Sequence, residues 1–247
     1  MSQFIESIKI EDQKIFLLDL HQKRVNDTFA HFGKEGSVDL EKIYRDLQHD
    51  EDGLYKLKII YDLNKNFRTQ MIPYAISEID NFQLVENNGY DYSFKFEDRK
   101  EFERMLQKAK SDEIIIVKNN HITDTSYSNI LFKKGKDWFT PTTYLLNGVQ
   151  RQHLLKSKKI KEAEITMQNI NEYSHFQMIN AMNDFDDMFI YPIRNFRCRF
   201  SSMKPFTRRT ERTNPKRKKT ASLSPTNFQG LMIMNWLHLP RKISLKK

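Results

Sequence analysis

Apolar and polar positions alternate strongly near the start of the chain. Residues 4–10, Phe-Ile-Glu-Ser-Ile-Lys-Ile, are rich in β-branched side chains and predict a strand. Glu11, Asp12 and Gln13 turn the chain, and 15–18 return it. Asp19 is placed to cap a helix over 21–32, which Gly33 ends. A second helix is expected at 39–47, ahead of a strand at 55–62 where Leu57, Ile59 and Tyr61 alternate with Lys56, Lys58 and Ile60. Another strand follows at 69–79. The first ninety residues therefore predict a small α+β unit with an antiparallel sheet.

The next alternation is less ordinary. Over 90–97, Tyr90, Tyr92, Phe94 and Phe96 would share one face of a strand, and Asp91, Ser93, Lys95 and Glu97 the other. On a wet face Lys95 does nothing chemical, which is what alternation usually produces. Facing a cleft, its amine would be a nucleophile. Asp98 then caps a helix over 99–110, with Phe102, Met105 and Leu106 on one face. Residues 113–118 are apolar enough for a buried strand, Asn119 and Asn120 turn, and 122–132 form the returning arm. A short strand at 138–141 stops at Pro141, and the turn at Gly148 opens a helix to about 156. Residues 162–182 read as strand, helix and strand. Past Phe196 the periodicity ends, and 201–225, rich in Ser, Thr, Pro, Lys and Arg, read as disordered.

Composition narrows the class. The 247 residues, 38% hydrophobic, can furnish one large or two small globular units. No basic segment followed by an apolar run opens the chain, so nothing there directs export. The longest apolar candidate, 231–239, is well short of the roughly 20 residues a membrane helix needs. A cytoplasmic protein without membrane contact is expected. Cys198 is the only cysteine, and the seven histidines lack the spacing of a zinc helix, so no metal is indicated.

The net charge of +9 is unevenly placed. Residues 199–247 hold 13 Lys or Arg and one acid, Glu211, a net of +12; the remainder holds 28 basic and 31 acidic residues, a net of −3. Nucleic acid is therefore an expected partner only through 199–247, where Arg208-Arg209 and Lys216-Arg-Lys-Lys219 lie.

Four stretches in order change the picture: Tyr92-Ser-Phe-Lys-Phe-Glu-Asp-Arg99, Asp124-Thr-Ser-Tyr-Ser-Asn-Ile130, Thr140-Pro-Thr-Thr-Tyr-Leu-Leu-Asn-Gly-Val-Gln-Arg151 and Ile179-Asn-Ala-Met182, with Arg24 upstream. In this the chain resembles the class IV aminotransferases, pyridoxal-phosphate enzymes of fold type IV that include branched-chain and D-amino-acid aminotransferases and 4-amino-4-deoxychorismate lyase. The resemblance covers roughly 4–196 and is greatest to the short lyase-type members. It implies an α+β fold of two domains, 1–88 and a cofactor-binding 89–198, followed here by the basic 199–247. It also implies a homodimer and a small-molecule amine substrate.

By that resemblance Lys95 is the Schiff-base lysine and the catalytic acid and base. Asp124 stands where the larger enzymes place a glutamate against the pyridine nitrogen, five residues before Asn129. Arg24 matches the helix arginine that binds the cofactor phosphate, and Gly148, Val149 and Gln150 match the helix start that completes the phosphate cradle. Where the larger enzymes often carry threonine, Gln150 has an amide that can donate. Arg151 is read as structural. Ser126, with Thr125 beside it, would add a hydroxyl near the cofactor, and Lys58 and Arg68 would meet substrate carboxylates. The short length favours release of pyruvate and 4-aminobenzoate from aminodeoxychorismate, for folate synthesis. A transaminase acting on branched-chain or D-amino acids, a nucleic-acid binder acting through the tail, and a catalytically dead cofactor-binding fold are the alternatives.

Overall fold

Alternation in the N-terminal segment becomes a sheet with two unlike faces. The structure, a computed structural model, describes residues 2–47, 52–76, 78–185 and 189–197. Cys198 and the basic segment 199–247 lie outside the described residues. Strand β1 (Gln3–Glu11) pairs antiparallel with β2 (Lys14–Ile15) and with β3 (Leu54–Asp62), and β4 (Phe67–Pro73) completes the order β2-β1-β3-β4. Two helices, α1 (Leu18–His31) and α2 (Leu40–Asp46), join this sheet in a core built on Phe4, Ile8 and Ile10 of β1, Leu57, Ile59 and Tyr61 of β3, and Val25 and Phe29 of α1. Asp39 caps α2 as its sequence implies, accepting from Lys42 N at 2.9 Å.

The start of α1 differs from expectation. The returning strand stops at Ile15, and Leu17 takes a left-handed conformation (φ 53°), so the helix begins at Leu18 without a side-chain cap. Asp19 sits instead in the first turn, where its charge opposes the positive end of the helix dipole.

A second, larger sheet follows. Strand β5 (Phe82–Glu86) runs parallel to β6 (Glu113–Lys118), and α3 (Lys100–Ala109) is the crossover between them. With apolar matter on both faces, β6 sends Ile115 and Val117 into one core and Ile114 and Ile116 into another. The expected arm 122–132 is two strands, β7 (His121–Thr125) and β8 (Asn129–Lys134). Thr125 breaks it, pairing its N–H with Ser128 O at 2.8 Å and accepting Ser128 N on its hydroxyl at 3.1 Å. Strand β9 (Asp137–Pro141), α4 (Val149–Lys156), β10 (Lys161–Ala163), β11 (His175–Ile179), β12 (Tyr191–Pro192) and β13 (Phe196–Arg197) complete the order β10-β9-β8-β7-β6-β5-β13, with β11 on β8 and β12 on β11. The helix expected within 162–182 is a single 3-10 turn, Ile170–Glu172. Both sheets belong to one compact unit.

The segment 90–97 is a loop, not a strand. It touches β1 through Ile5 N to Lys95 O (2.9 Å) and Glu97 N to Gln3 O (2.8 Å), with a single bridge between Phe4 and Phe96. Its aromatic side chains do not share a face. Tyr92 packs with Phe102 in the α3 core and Phe94 on the N-terminal core, whereas Phe96 touches both, 5.3 Å from Phe4 between ring centres. The Tyr92 hydroxyl donates to Phe96 O at 2.7 Å and braces the bend that presents Lys95.

Candidate active site

Glu6 lies on the helix-facing side of β1, in register with Ile59 and between Phe4 and Ile8, where a strand ordinarily places an apolar side chain. It is fully buried. Arg24 donates Nε to Glu6 Oε1 at 2.8 Å and a terminal nitrogen to Oε2, while His21 Nδ1 stands 2.5 Å from Oε2. Burial works to raise the Glu6 carboxyl, but Arg24 and then His21 outweigh it and hold the group down at about 2. The guanidinium is locked through one edge, and its remaining terminal nitrogen is left for another acceptor. Sequence reasoning missed Glu6, although a carboxylate on the apolar parity of a strand was its signal.

Lys95 follows in the braced loop. Burial, and next the charge of Arg24, lower its amine from the usual lysine range to about 7, with Arg99 and Lys56 acting in the same direction and Glu6 opposing. Near neutral pH a large fraction of this amine is uncharged and nucleophilic. Arg99 closes the loop from the other side. It donates to Ser126 O and, at 3.3 Å, to the Tyr92 hydroxyl, and it lies 4.0 Å from the Tyr127 ring and 4.4 Å from Phe102.

Asp124 is buried at the end of β7. Its Oδ2 accepts Leu145 N and Leu146 N, both at 2.9 Å, and its Oδ1 accepts Asn129 Nδ2 at 2.8 Å. Burial pushes the carboxyl up to about 6 against these three donors. One lone pair of Oδ1 remains for a further donor. Asn129 also donates to Leu146 O at 2.9 Å, which ties the chain before α4 to β8.

At Gly148, the N-cap of α4, an added Cβ would stand 2.1 Å from Asn129 Oδ1. Only glycine passes there. Gly148→Ala is expected to cost about 1–3 kcal/mol in a denaturant titration and to weaken pyridoxal-phosphate binding, because Asn129 or the helix start must shift. The first N–H groups of α4, on Val149, Gln150 and Arg151, have no intrahelical acceptor and favour an anion. Helices α1 and α4 adjoin.

The other expected residues scatter. The Gln150 amide is directed at Asp184, 3.5 Å away, instead of standing open for a phosphate. Asp184 in turn holds Lys9 at 2.8 Å. Ser126 is buried, its N–H on Glu113 and its hydroxyl without a hydrogen bond among the described residues. Arg151 is buried and structural, donating to Asn147 and Pro141 O and paired with Glu162. Lys58 is half-buried on the sheet face away from α1. Arg68 is exposed and reaches Gln3 and Glu97. Among the described residues, no helix is long and apolar enough to cross a membrane, and no group of three or more metal-ligating side chains converges.

A lowered amine, an arginine locked on a buried carboxylate and an open helix start fit a cofactor carrying an aldehyde and a phosphate. The family model of class IV amino-transferases matches residues 3–196. The chain belongs to that family and is a pyridoxal-phosphate-dependent enzyme. An uncharacterized protein of Haemophilus influenzae is 32% identical over 187 residues, covering 74% of this chain and 99% of its own length. A candidate 4-amino-4-deoxychorismate lyase of Haemophilus somnus superposes with a TM-score of 0.69 at 31% identity, covering 75% of this chain and 98% of that one. The branched-chain amino acid aminotransferase of Escherichia coli shares the fold, with a TM-score of 0.60 at 15% identity over 79% of this chain and 76% of that one.

Proposed function

We propose that this protein is a 4-amino-4-deoxychorismate lyase that releases pyruvate and 4-aminobenzoate. The observation that carries the reading is the cationic sheet face whose Lys56 charge acts on Lys95: Lys58 lies in register with Ser7 and Gln70, two positions along β3 from Lys56, and offers positive charge to a substrate bearing carboxylates. Likeness over nearly the full length of the Haemophilus somnus protein supports it. Cytoplasmic location, a homodimer and a place in folate synthesis belong to the same proposal.

Bound in this site, pyridoxal phosphate supplies an aldehyde that condenses with amines and a ring that accepts electrons. Arg24, fixed by Glu6, and the backbone N–H groups of Val149 and Gln150 hold its phosphate. Asp124, itself fixed by Leu145, Leu146 and Asn129, keeps the ring nitrogen protonated. Lys95 would hold the aldehyde. Its free amine would take the proton from the ring carbon that bears the substrate amine and deliver it to the methylene of the departing enolpyruvyl group. The ring carbon–oxygen bond breaks, pyruvate leaves, and the ring becomes aromatic. Lys58 meets a substrate carboxylate, and Ser126 contributes its hydroxyl beside the cofactor. Arg68 sits too far out on the surface to be given that role with Lys58.

Incubating the holoenzyme with enzymatically prepared aminodeoxychorismate and following both products by chromatography tests the reading. Equimolar 4-aminobenzoate and pyruvate are expected. Turnover of branched-chain or D-amino acids with a keto acid, and none of aminodeoxychorismate, would establish a transaminase in its place.

A further inference from the structure

Arg99 carries its charge in an unfavourable place. It immediately precedes α3, at the positive end of that helix's dipole, where a cation is disfavoured. The residue is half-buried, and its Nε is enclosed without a hydrogen-bond partner among the described residues. Arg24 is paired with Glu6 and Arg151 with Glu162, but the groups that hold Arg99 are neutral. One terminal nitrogen donates to Ser126 O and the other to the Tyr92 hydroxyl at 3.3 Å, while the rings of Tyr127 and Phe102 lie 4.0 and 4.4 Å from the guanidinium. Dipoles and ring faces fix this charge without cancelling it.

The two arms of the guanidinium end on two parts of the site. Ser126 lies two residues past Asp124, and its N–H donates to the buried Glu113 at 3.0 Å, so its peptide is held at both ends. The Tyr92 hydroxyl in turn donates to Phe96 O at 2.7 Å, one residue past Lys95. A single planar fork therefore spans the Lys95 loop and the turn that follows Asp124. Burial and then Arg24 lead in lowering the basicity of the Lys95 amine; Arg99 and Lys56 add to them, Glu6 opposes, and Lys95 acts in turn on His21. We propose that Arg99 is a positioning residue, which ties the Lys95 loop to the turn after Asp124 and sets an uncancelled positive charge against the Lys95 nitrogen. It acts through Lys95, and so rests on the reading in which that amine takes the cofactor aldehyde, whichever amine is the substrate.

The cofactor-loaded wild type, Arg99→Gln, Arg99→Lys and Tyr92→Phe test this, with thermal melts confirming each fold. Near-visible absorbance gives two quantities: the pH midpoint of the bound cofactor's band, which follows the charge on the nitrogen joining it to Lys95, and the rate of cofactor loss on dilution. Arg99→Gln removes a positive charge beside that nitrogen, so the midpoint is expected to rise by roughly half a unit or more. Arg99→Lys keeps the charge without the fork and is expected to hold the wild-type midpoint but release cofactor about tenfold faster. Tyr92→Phe leaves Arg99 in place and cuts the link to Phe96 O; faster release at an unchanged midpoint is expected. A merely structural arginine would lower the melting temperature of Arg99→Gln and leave its midpoint where it was, which overturns the proposal. If Arg99→Gln does not fold, wild-type release rates in both Arg99→Lys and Tyr92→Phe overturn it instead. Borohydride reduction and peptide mapping of the wild type separate the two readings. A label away from Lys95 removes the reading of Lys95 and the role of Arg99 with it, whereas a label on Lys95 with unaltered variants removes the role of Arg99 alone.

Discussion

Lys95→Ala is expected to lose activity by a factor of at least about 10⁴, because in the proposed reaction one side chain would hold the cofactor aldehyde and then move the proton. The same substitution should not weaken the fold near neutral pH. A lysine whose amine titrates at about 7 in the folded chain, below its ordinary 10.5, disfavours folding while it is protonated. The penalty is full below pH 7 and fades as pH rises toward 10.5. The stability of wild type relative to Lys95→Ala should therefore increase across that interval. Denaturant titrations at pH 7 and pH 10 separate the two effects: an inactive variant at least as stable as wild type at pH 7 supports the role, and an inactive variant that has simply unfolded does not.

Glu6→Gln should give the largest loss of stability in the site, about 3–5 kcal/mol. It removes the partner of a buried guanidinium and of His21 without changing volume much. The sign of its pH dependence is fixed by the depressed carboxyl. Held at about 2 in the folded chain against an ordinary 4.5, Glu6 contributes stability in full above pH 4.5 and loses it as pH falls through 2. The gap between wild type and variant should thus narrow from pH 4.5 downward. Because Glu6 raises the Lys95 amine, its loss should also lower that amine below 7, which a pH series of cofactor capture reads. A variant within 1 kcal/mol of wild type at pH 7 would mean that the buried pair does not anchor Arg24.

What could be read in the sequence followed from local pattern. Alternation in β1 and β3, the second helix within 39–47 and the apolar stripe of α3 depend on neighbours a few residues apart, and they came through. Strand β5 did not, because five residues without strong alternation acquire their character only from the parallel pairing with β6. The 90–97 segment misled because Tyr92 and Phe94 pack on different cores, with Phe96 between them touching both, a division that depends on how β1 and α3 meet. Resemblance singled out Arg24, Lys95 and Asp124 as candidates, but not the groups that hold them. Asp124 is held by Leu145 and Leu146, more than twenty residues away in the chain, and Arg24 by Glu6, eighteen away. The orientation of Gln150 toward Asp184 likewise depends on a contact that spacing does not encode.

The central claim is that Lys95 is the amine that holds the cofactor. Reduction of the pyridoxal-phosphate-loaded wild type with borohydride, followed by proteolysis and mass spectrometry, tests it directly. The account predicts about one pyridoxyl group per chain, on the peptide containing Lys95. A label on another lysine, or none on a folded protein saturated with cofactor, would contradict it.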